Sequence, residues 1–150
     1  PLEDSRCDRC RAVGRCVART AIHRMPEVLV VHVARFAAQL NGTVHKVNDP
    51  FTFPIYQCDF RNVTQTGDAP DGNEKGPSPS HLLYRLHSMV DHMGDIHSGH
   101  YVCRRQNAQG EWCVMDDDHT ACTWQGKTDD LGQITDSDAY LLVYERLNVA

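Results

Sequence analysis

Short apolar runs rich in β-branched residues, separated by turn residues, recur along most of this chain. The run from Glu27 to Phe36 has the composition of a buried strand. Asn41-Gly42 follows it, and this dipeptide favours a hairpin turn because both positions of a type I′ turn need positive φ. A second strand from His45 to Phe53 is then expected, and Pro54 would help to end it.

The second half of the chain predicts four further strands. They run from His81 to Met93, over about 99–105, over 111–117, and from Ala139 to Arg146, and Asn107-Ala108-Gln109-Gly110 joins the middle two. Helix signals are weak throughout. The pattern predicts a mostly antiparallel β arrangement that forms part of an α+β fold.

Residues 61–80 interrupt these apolar runs. From Gly67 onward, glycine, proline, serine and charged residues dominate the segment. Such a composition leaves almost nothing to bury, so we expect a mobile surface loop inserted into one domain.

The length of 150 residues fits one domain, and 41% hydrophobic with 23% charged residues is an ordinary composition. No apolar run reaches the ~18 residues of a membrane span. The chain begins at Pro1 with neither an initiator Met nor a secretory signal, so we expect a piece of a longer protein.

Seven widely spaced cysteines, an odd number, favour an intracellular, reduced protein over a disulfide scaffold. Two glycosylation sequons, at Asn41 and Asn62, point the other way, and without a signal peptide we discount them. The net charge of −5 is concentrated in residues 107–150. This acidity argues against nucleic acid and fits a cationic partner, although a solvated acidic face explains it equally well.

The densest polar cluster runs from His92 to Tyr101 and holds three histidines, two glycines and an aspartate. One interpretation is a surface turn with an adventitious metal site. The other is a general base, because imidazoles titrate near neutral pH. Composition alone does not separate the two.

Hairpin geometry links this cluster to the acidic run that follows. If Arg105 pairs with Glu111, His100 lies opposite Asp116, and a shift of one residue brings Asp117 there instead. A carboxylate beside an imidazole holds its tautomer and stabilises its cation. Cys103 and Cys113 sit at odd offsets and point to the opposite face, so we expect the nucleophile outside this chain.

The order and spacing of the motifs resemble those of the ubiquitin-specific proteases, papain-like cysteine proteases that cut the bond after the C-terminal glycine of ubiquitin. The matching segments are Met25-Pro26-Glu27-Val28-Leu29, His32-Val33-Ala34-Arg35-Phe36, Phe53-Pro54, Tyr84-Arg85-Leu86, His92-Met93-Gly94, Gly99-His100-Tyr101, Trp112 four residues before Asp116-Asp117, and Ala139 to Arg146. The resemblance covers nearly the whole chain except the 61–80 loop. It implies the C-terminal half of the catalytic domain.

The resemblance also implies an assignment for each part of the chain. Residues 1–24 would end the fingers with half a zinc knuckle, 25–60 and 81–146 would be palm strands, and 61–80 would be an inserted loop. The partners would be ubiquitin, ubiquitinated proteins and the N-terminal half of the same domain.

For the site, the resemblance makes His100 the general base, Asp116 the third triad member and Asp117 a helper. No cofactor is implied for catalysis. The residues expected to line or shape the channel for the ubiquitin tail are His92, Asp95, His97, Ser98, Gly99 and Tyr101.

Cys7-Asp8-Arg9-Cys10 has the spacing of two zinc ligands, whereas structural zinc needs four. Cys16 would be a third ligand, and the family supplies another Cys-x-x-Cys from earlier in its fingers. We favour half a structural zinc site over a redox pair or two buried cysteines.

Three functional hypotheses remain. The first is an active deubiquitinase, the second a catalytically inactive ubiquitin-binding module, and the third a small zinc-binding interaction domain. A cytoplasmic location is expected. The sequence from Gly94 to His100 is similar to that of the family's mitochondrial outer-membrane member, and a membrane anchor would have to lie outside this chain.

Overall fold

The secondary structure is almost entirely antiparallel strand. The computed structural model describes residues 2–16, 20, 22–64, 83–122 and 128–147. The strands of these residues are β1 (Leu2–Arg6), β2 (Val13–Cys16), β3 (Val28–His32), β4 (Phe36–Ala38), β5 (Val44–Lys46), β6 (Phe51–Pro54), β7 (Cys58–Asp59), β8 (Leu83–Gly94), β9 (Gly99–Gln106), β10 (Trp112–Asp116), β11 (His119–Ala121), β12 (Gln133–Asp136) and β13 (Ala139–Arg146). The predicted mostly antiparallel β fold is confirmed.

One seven-stranded sheet organises the chain. Its order is β11-β10-β9-β8-β13-β3, and β7 pairs with the start of β8. Three smaller pairs, β1–β2, β4–β5 and β6–β12, accompany it. Within the described residues no helix is long and apolar enough to span a membrane.

The core lies on one face of this sheet. Its largest fully buried side chains on β8 and β13 are Tyr84, Leu86, Met89, Leu142 and Tyr144. They form one cluster with Phe53, Ile55 and Ile134, which belong to or follow the β6–β12 pair. Both tyrosines satisfy their hydroxyls: Tyr144 donates to the carbonyl of Pro54 over 2.9 Å, and Tyr84 donates to that of Pro26.

The prediction of a buried strand from Glu27 to Phe36 is wrong in two respects. β3 ends at His32, and its residues alternate between exposed and half-buried, with Val28 55% and Val30 56% exposed. The reason is that, among the described strands, β3 pairs only with β13 and lies at the edge of the sheet. Arg35, 2% exposed, lies in the connection to β4.

The predicted hairpin at Asn41-Gly42 is present with a longer loop. β4 and β5 pair from Phe36↔Lys46 to Ala38↔Val44, and Gly42 takes φ +83° in the loop between them. The strand expected from His45 to Phe53 is split, because the carbonyls of Val47 and Asp49 turn toward the Arg35 guanidinium, at 3.2 and 2.6 Å.

Residues 61–64, the start of the predicted loop, are ordered into a short 3-10 turn from Arg61 to Val63. Thr64 follows it, 8% exposed, and bridges to Ile22. Residues 65–80, which carry the rest of that prediction, lie outside the described residues.

Two cysteines are not reduced, contrary to the expectation from their number. Cys113 and Cys122 form a disulfide across the β10–β11 hairpin. Val114 pairs with Ala121, so the next position outward brings the two cysteines opposite each other. Sequence spacing alone does not predict this disulfide, because the alignment of the two cysteines depends on the two-residue turn between β10 and β11.

Candidate active site

A histidine–aspartate pair joins the start of β9 to the end of β10. His100 Nε2 and Asp116 Oδ1 are hydrogen-bonded, with the two side chains 43% and 50% exposed. The predicted register is wrong by two residues, because Arg105 pairs with Cys113 instead of Glu111. A shift of two leaves every side chain on its original face, so the two groups still meet. They meet along a diagonal of the hairpin. If the observed register is extended by one residue, Asp116 lies opposite Val102, two residues from His100.

The carboxylates favour the charged form of this imidazole. The hydrogen bond that His100 donates to Asp116, and then the charge of Asp116, raise the pKa of His100, and the charge of Asp117 adds to them. A carboxylate accepts only, so Nε2 carries a hydrogen and Nδ1 is the ring nitrogen left to take up a proton. The pair has the composition and geometry of a base with its orienting acid.

Asp117 sits in the tight turn after Asp116. Asp116 pairs with His119 around it, and Asp117 adopts φ +48°, a left-handed conformation that aspartate tolerates better than most residues. One ligand atom from each of His100, Asp116 and Asp117 lies within 4.8 Å of the other two. Asp117 is therefore a second carboxylate beside the imidazole, without the hydrogen bond that Asp116 makes.

Asp95 builds the turn that leads into His100. Its Oδ1 accepts hydrogen bonds from the backbone N–H groups of His97 at 2.7 Å and Ser98 at 2.9 Å. These bonds lower the pKa of Asp95. Gly94 opens the turn at φ +96°, and a Cβ there would overlap the carbonyl oxygen of Ser98.

Gly99 lies against a histidine side chain. A Cβ at Gly99 would overlap His92 Nε2 and lie 2.8 Å from its Cε1. His92 is 4% exposed, and its ring lies against the backbone of Gly99. Tyr101, at 52% exposed, packs on the same ring with centroids 4.9 Å apart.

A charge network that sequence reasoning missed joins β8, β9 and β12. Arg104 contacts both Asp91 and Asp136, and all three side chains are at most 16% exposed. Burial raises the pKa of Asp91, and Arg104 offsets this only in part. Burial also disfavours the charged form of Asp136, but Arg104 and two backbone N–H groups outweigh it and lower its pKa. The signal in the sequence was Asp91, a charged residue that directly follows the apolar Met89 and Val90 in β8.

Arg35 ties this network to the rest of the chain. Its guanidinium donates to the carbonyls of Val47, Asp49, Asp136 and Ala139 at 2.6–3.2 Å. Asp136 in turn caps the following turn by accepting from the backbone N–H groups of Asp138 and Ala139. The start of β13, which pairs with β8, is thereby anchored.

No cysteine sulfur joins the His100 cluster among the described residues. Burial raises the pKa of the Cys58 thiol to about 11 and also raises that of Cys103, and Cys113 and Cys122 are oxidised. A thiol with a raised pKa is a poor nucleophile at neutral pH.

Cys7 and Cys10 occupy the turn of the β1–β2 hairpin, with exposed side chains. The backbone N–H of Cys7 donates to Ala12, and Arg11 takes φ +60° to reverse the chain. Hydrogen bonds from Cys10, first from its backbone, lower the pKa of the Cys7 thiol. The turn therefore favours the thiolate form that metal ions bind.

Comparison with known proteins agrees with this fold. The model of the ubiquitin carboxyl-terminal hydrolase family matches residues 2–144. The chain belongs to this family.

Two curated relatives show how much of such a protein is in hand. The chain is 29% identical over 138 residues to ubiquitin carboxyl-terminal hydrolase 8 of Saccharomyces cerevisiae, a match over 92% of this chain and 28% of that protein. It is 31% identical over 144 residues to human ubiquitin carboxyl-terminal hydrolase 2, over 95% of this chain and 21% of the relative. The chain thus spans about a quarter of these proteins. Neither relative supports the likeness to the mitochondrial member.

Solved structures give the same picture. The SAGA Ubp8/Sgf11/Sus1/Sgf73 DUB module bound to ubiquitin aldehyde contains a chain that matches 98% of this one with a TM-score of 0.75 and 28% identity. A module bound to monoubiquitin matches with a TM-score of 0.74 and 26% identity. In each, this chain covers 30% or less of the matched chain.

Proposed function

We propose that this chain is the part of a deubiquitinase that supplies the general base and its acid. The reaction is thiol-dependent hydrolysis of the isopeptide or peptide bond after the C-terminal glycine of ubiquitin. The observation that carries the proposal is the bond between His100 Nε2 and Asp116, which leaves Nδ1 as a proton acceptor. A family match over residues 2–144 supports it.

The chemistry follows from the orientation of the imidazole. Nδ1 of His100 takes the proton from a cysteine thiol, and the thiolate attacks the carbonyl carbon of the terminal glycine. The imidazolium, held by Asp116, then protonates the departing amine. Water hydrolyses the resulting thioester, with His100 as base again, and releases ubiquitin with a free carboxylate.

The nucleophilic cysteine would come from the N-terminal half of the same catalytic domain. This assignment rests on the cysteine chemistry, since burial raises the pKa of the Cys58 and Cys103 thiols and Cys113 and Cys122 form a disulfide. Asp117 would assist by adding negative charge near the imidazolium.

The turn between β8 and β9 would hold the ubiquitin tail. Ser98, Gly99 and Tyr101 are at the surface beside His100, and Asp95 fixes the turn through the backbone of His97. Relatives of this fold have been solved with ubiquitin aldehyde and with monoubiquitin, which supports ubiquitin as the partner.

The test uses a ubiquitin C-terminal amide that releases a fluorophore, with the longer protein that includes the cysteine-bearing half. His100→Ala should lower turnover by a factor on the order of 10³ or more, while ubiquitin binding persists. His45→Ala, at an exposed strand residue, is the matched control and should keep full activity. Ubiquitin binding without turnover in the unmutated protein would instead support an inactive ubiquitin-binding module.

We further propose that Cys7 and Cys10 are two ligands of a structural zinc ion, completed by two thiolates from earlier in the fingers. Cys7→Ser should release the metal and lower the melting temperature of the longer protein, because metal binding contributes folding free energy directly. Metal content by mass spectrometry is the readout. Cys58→Ser controls for loss of any cysteine, and equal zinc content in the Cys7 and Cys58 variants would contradict the proposal.

A further inference from the structure

We infer that His92 is a positioning residue: its buried ring sets the path of the backbone at Gly99 and, through it, the placement of His100 against Asp116. The inference rests on the role proposed above for His100. It assigns His92 a function through shape, behind the site and not in it.

The ring of His92 is enclosed on several sides. The side chain is 4% exposed, and the aromatic rings of Phe36 and Tyr101 pack on it with centroids 5.2 and 4.9 Å away. Tyr140 from β13 completes the enclosure at 6.2 Å. A ring surrounded in this way has one available position, since displacing it would open a void in a packed interior.

The backbone of His92 is held as firmly as its ring. Its N–H donates to the carbonyl of Asp138 over 2.9 Å, and its carbonyl accepts from Lys46 Nζ. The Lys46 side chain is 4% exposed and is also bonded to Asp138 Oδ1 at 2.9 Å. The backbone that carries this imidazole is therefore held to β5 and to Asp138, the residue before β13.

The free edge of this fixed ring faces Gly99. A side chain at Gly99 would overlap Nε2 and lie 3.1 Å or less from Cε1 and Cδ2, so the backbone and the ring are in direct contact. Gly99 immediately precedes His100 and pairs with Gly94 across the hairpin. A larger or smaller side chain at this contact would therefore shift His100, the residue that carries the general base.

Hydrogen bonding does not explain the buried imidazole. His92 Nδ1 has no hydrogen-bond partner among the described residues. A buried polar atom without a partner costs free energy, so an apolar residue at this position would be favoured if packing of the core were the only requirement. The flat five-membered ring, which fits beneath a glycine backbone, is the property that the site uses.

The experiment measures the pKa of His100 in the 150-residue chain by NMR, from the Hε1 resonance across a pH titration. His92→Ala should move this pKa toward the ~6.5 of a free imidazole, as Asp116→Asn should, because the pair loses its alignment. Gly99→Ala should do the same from the other side of the contact. His32→Ala is the control: it removes an exposed imidazole that packs on Tyr140, with centroids 4.8 Å apart, and should leave the pKa of His100 unchanged.

The double variant provides the decisive comparison. If ring and backbone compete for one volume, the methyl group of Gly99→Ala should partly fill the space left by His92→Ala, and the double variant should lie closer to the wild type than either single variant. Additive losses would overturn the inference, as would a wild-type pKa of His100 in His92→Ala. Global unfolding of both single variants would also overturn it, since positioning requires the remaining fold to persist. The readout needs no hydrolysis, so failure of the proposed activity would leave this result intact.

Discussion

His100 reaches Asp116 along a diagonal of the β9–β10 hairpin, while its direct backbone partner is Met93 on β8. The backbone of His100 thus pairs within the β8–β9 hairpin, while its imidazole forms a hydrogen bond within the β9–β10 hairpin. Asp117, the residue after Asp116, is close enough to raise the pKa of His100 through its charge, but it does not form the hydrogen bond that Asp116 makes.

Asp116→Asn should therefore lower the pKa of His100 more than Asp117→Asn does. Asp116 contributes both a charge-assisted hydrogen bond and a charge, whereas Asp117 contributes charge alone. NMR titration of both variants at low salt measures the difference. A larger change in Asp117→Asn would mean that the turn rearranges and that Asp117 orients the base.

The same pair gives stability a defined pH dependence. The pKa of His100 is raised in the folded state, so its contribution is fully present below the unfolded value of ~6.5 and is lost as pH rises through the folded value. The loss of stability in His100→Gln should be larger at pH ~5.5 than at pH ~8.5. Urea unfolding at the two pH values tests this, and an equal loss at both would show that the proton is not bound more tightly on folding.

Gly94→Ala should destabilise the chain by about 1–3 kcal/mol, because alanine at φ +96° is strained and its Cβ would overlap the Ser98 carbonyl oxygen. Gly42→Ala separates the two causes. Gly42 also has positive φ, +83°, but nothing lies within 4 Å of an added Cβ. Urea midpoints should show the smaller loss for Gly42→Ala, and equal losses would assign the whole effect to φ.

Arg104→Met should cost ~3–5 kcal/mol, since it leaves Asp91 and Asp136 buried without their cation. Its control is Arg85→Met, which breaks an exposed ion pair with Glu145 and should cost about 0–1 kcal/mol. Thermal unfolding near neutral pH compares them. Similar small losses would indicate that water reaches the Arg104 network.

Some features were predictable because they depend on local pattern alone. The strand from Ala139 to Arg146 was predicted with the bounds that the structure has, since an uninterrupted apolar run suits a strand flanked on both sides. His100 and Asp116 were predicted to share a face, and the period of two along a strand made that result insensitive to the error in register.

Other features depend on partners that the pattern does not name. Whether β3 lies in the middle or at the edge is decided by which strand pairs beside it, not by its own residues. Arg35 and Arg104 are buried because carbonyls and carboxylates from distant segments meet them, up to 104 residues away. β12 carries too few apolar residues to signal a strand and owes its form to pairing with β6.

The open position of β3 has a consequence for handling the isolated chain. Its outer edge presents backbone N–H and C=O groups that no described strand pairs, beside the half-exposed valines Val28 and Val30. An edge of this kind is a template for another strand, so two copies at high concentration can extend one sheet into the next. The sedimentation coefficient should rise with protein concentration. In Val30→Lys it should stay at the monomer value, because the added charge opposes pairing of the two edges.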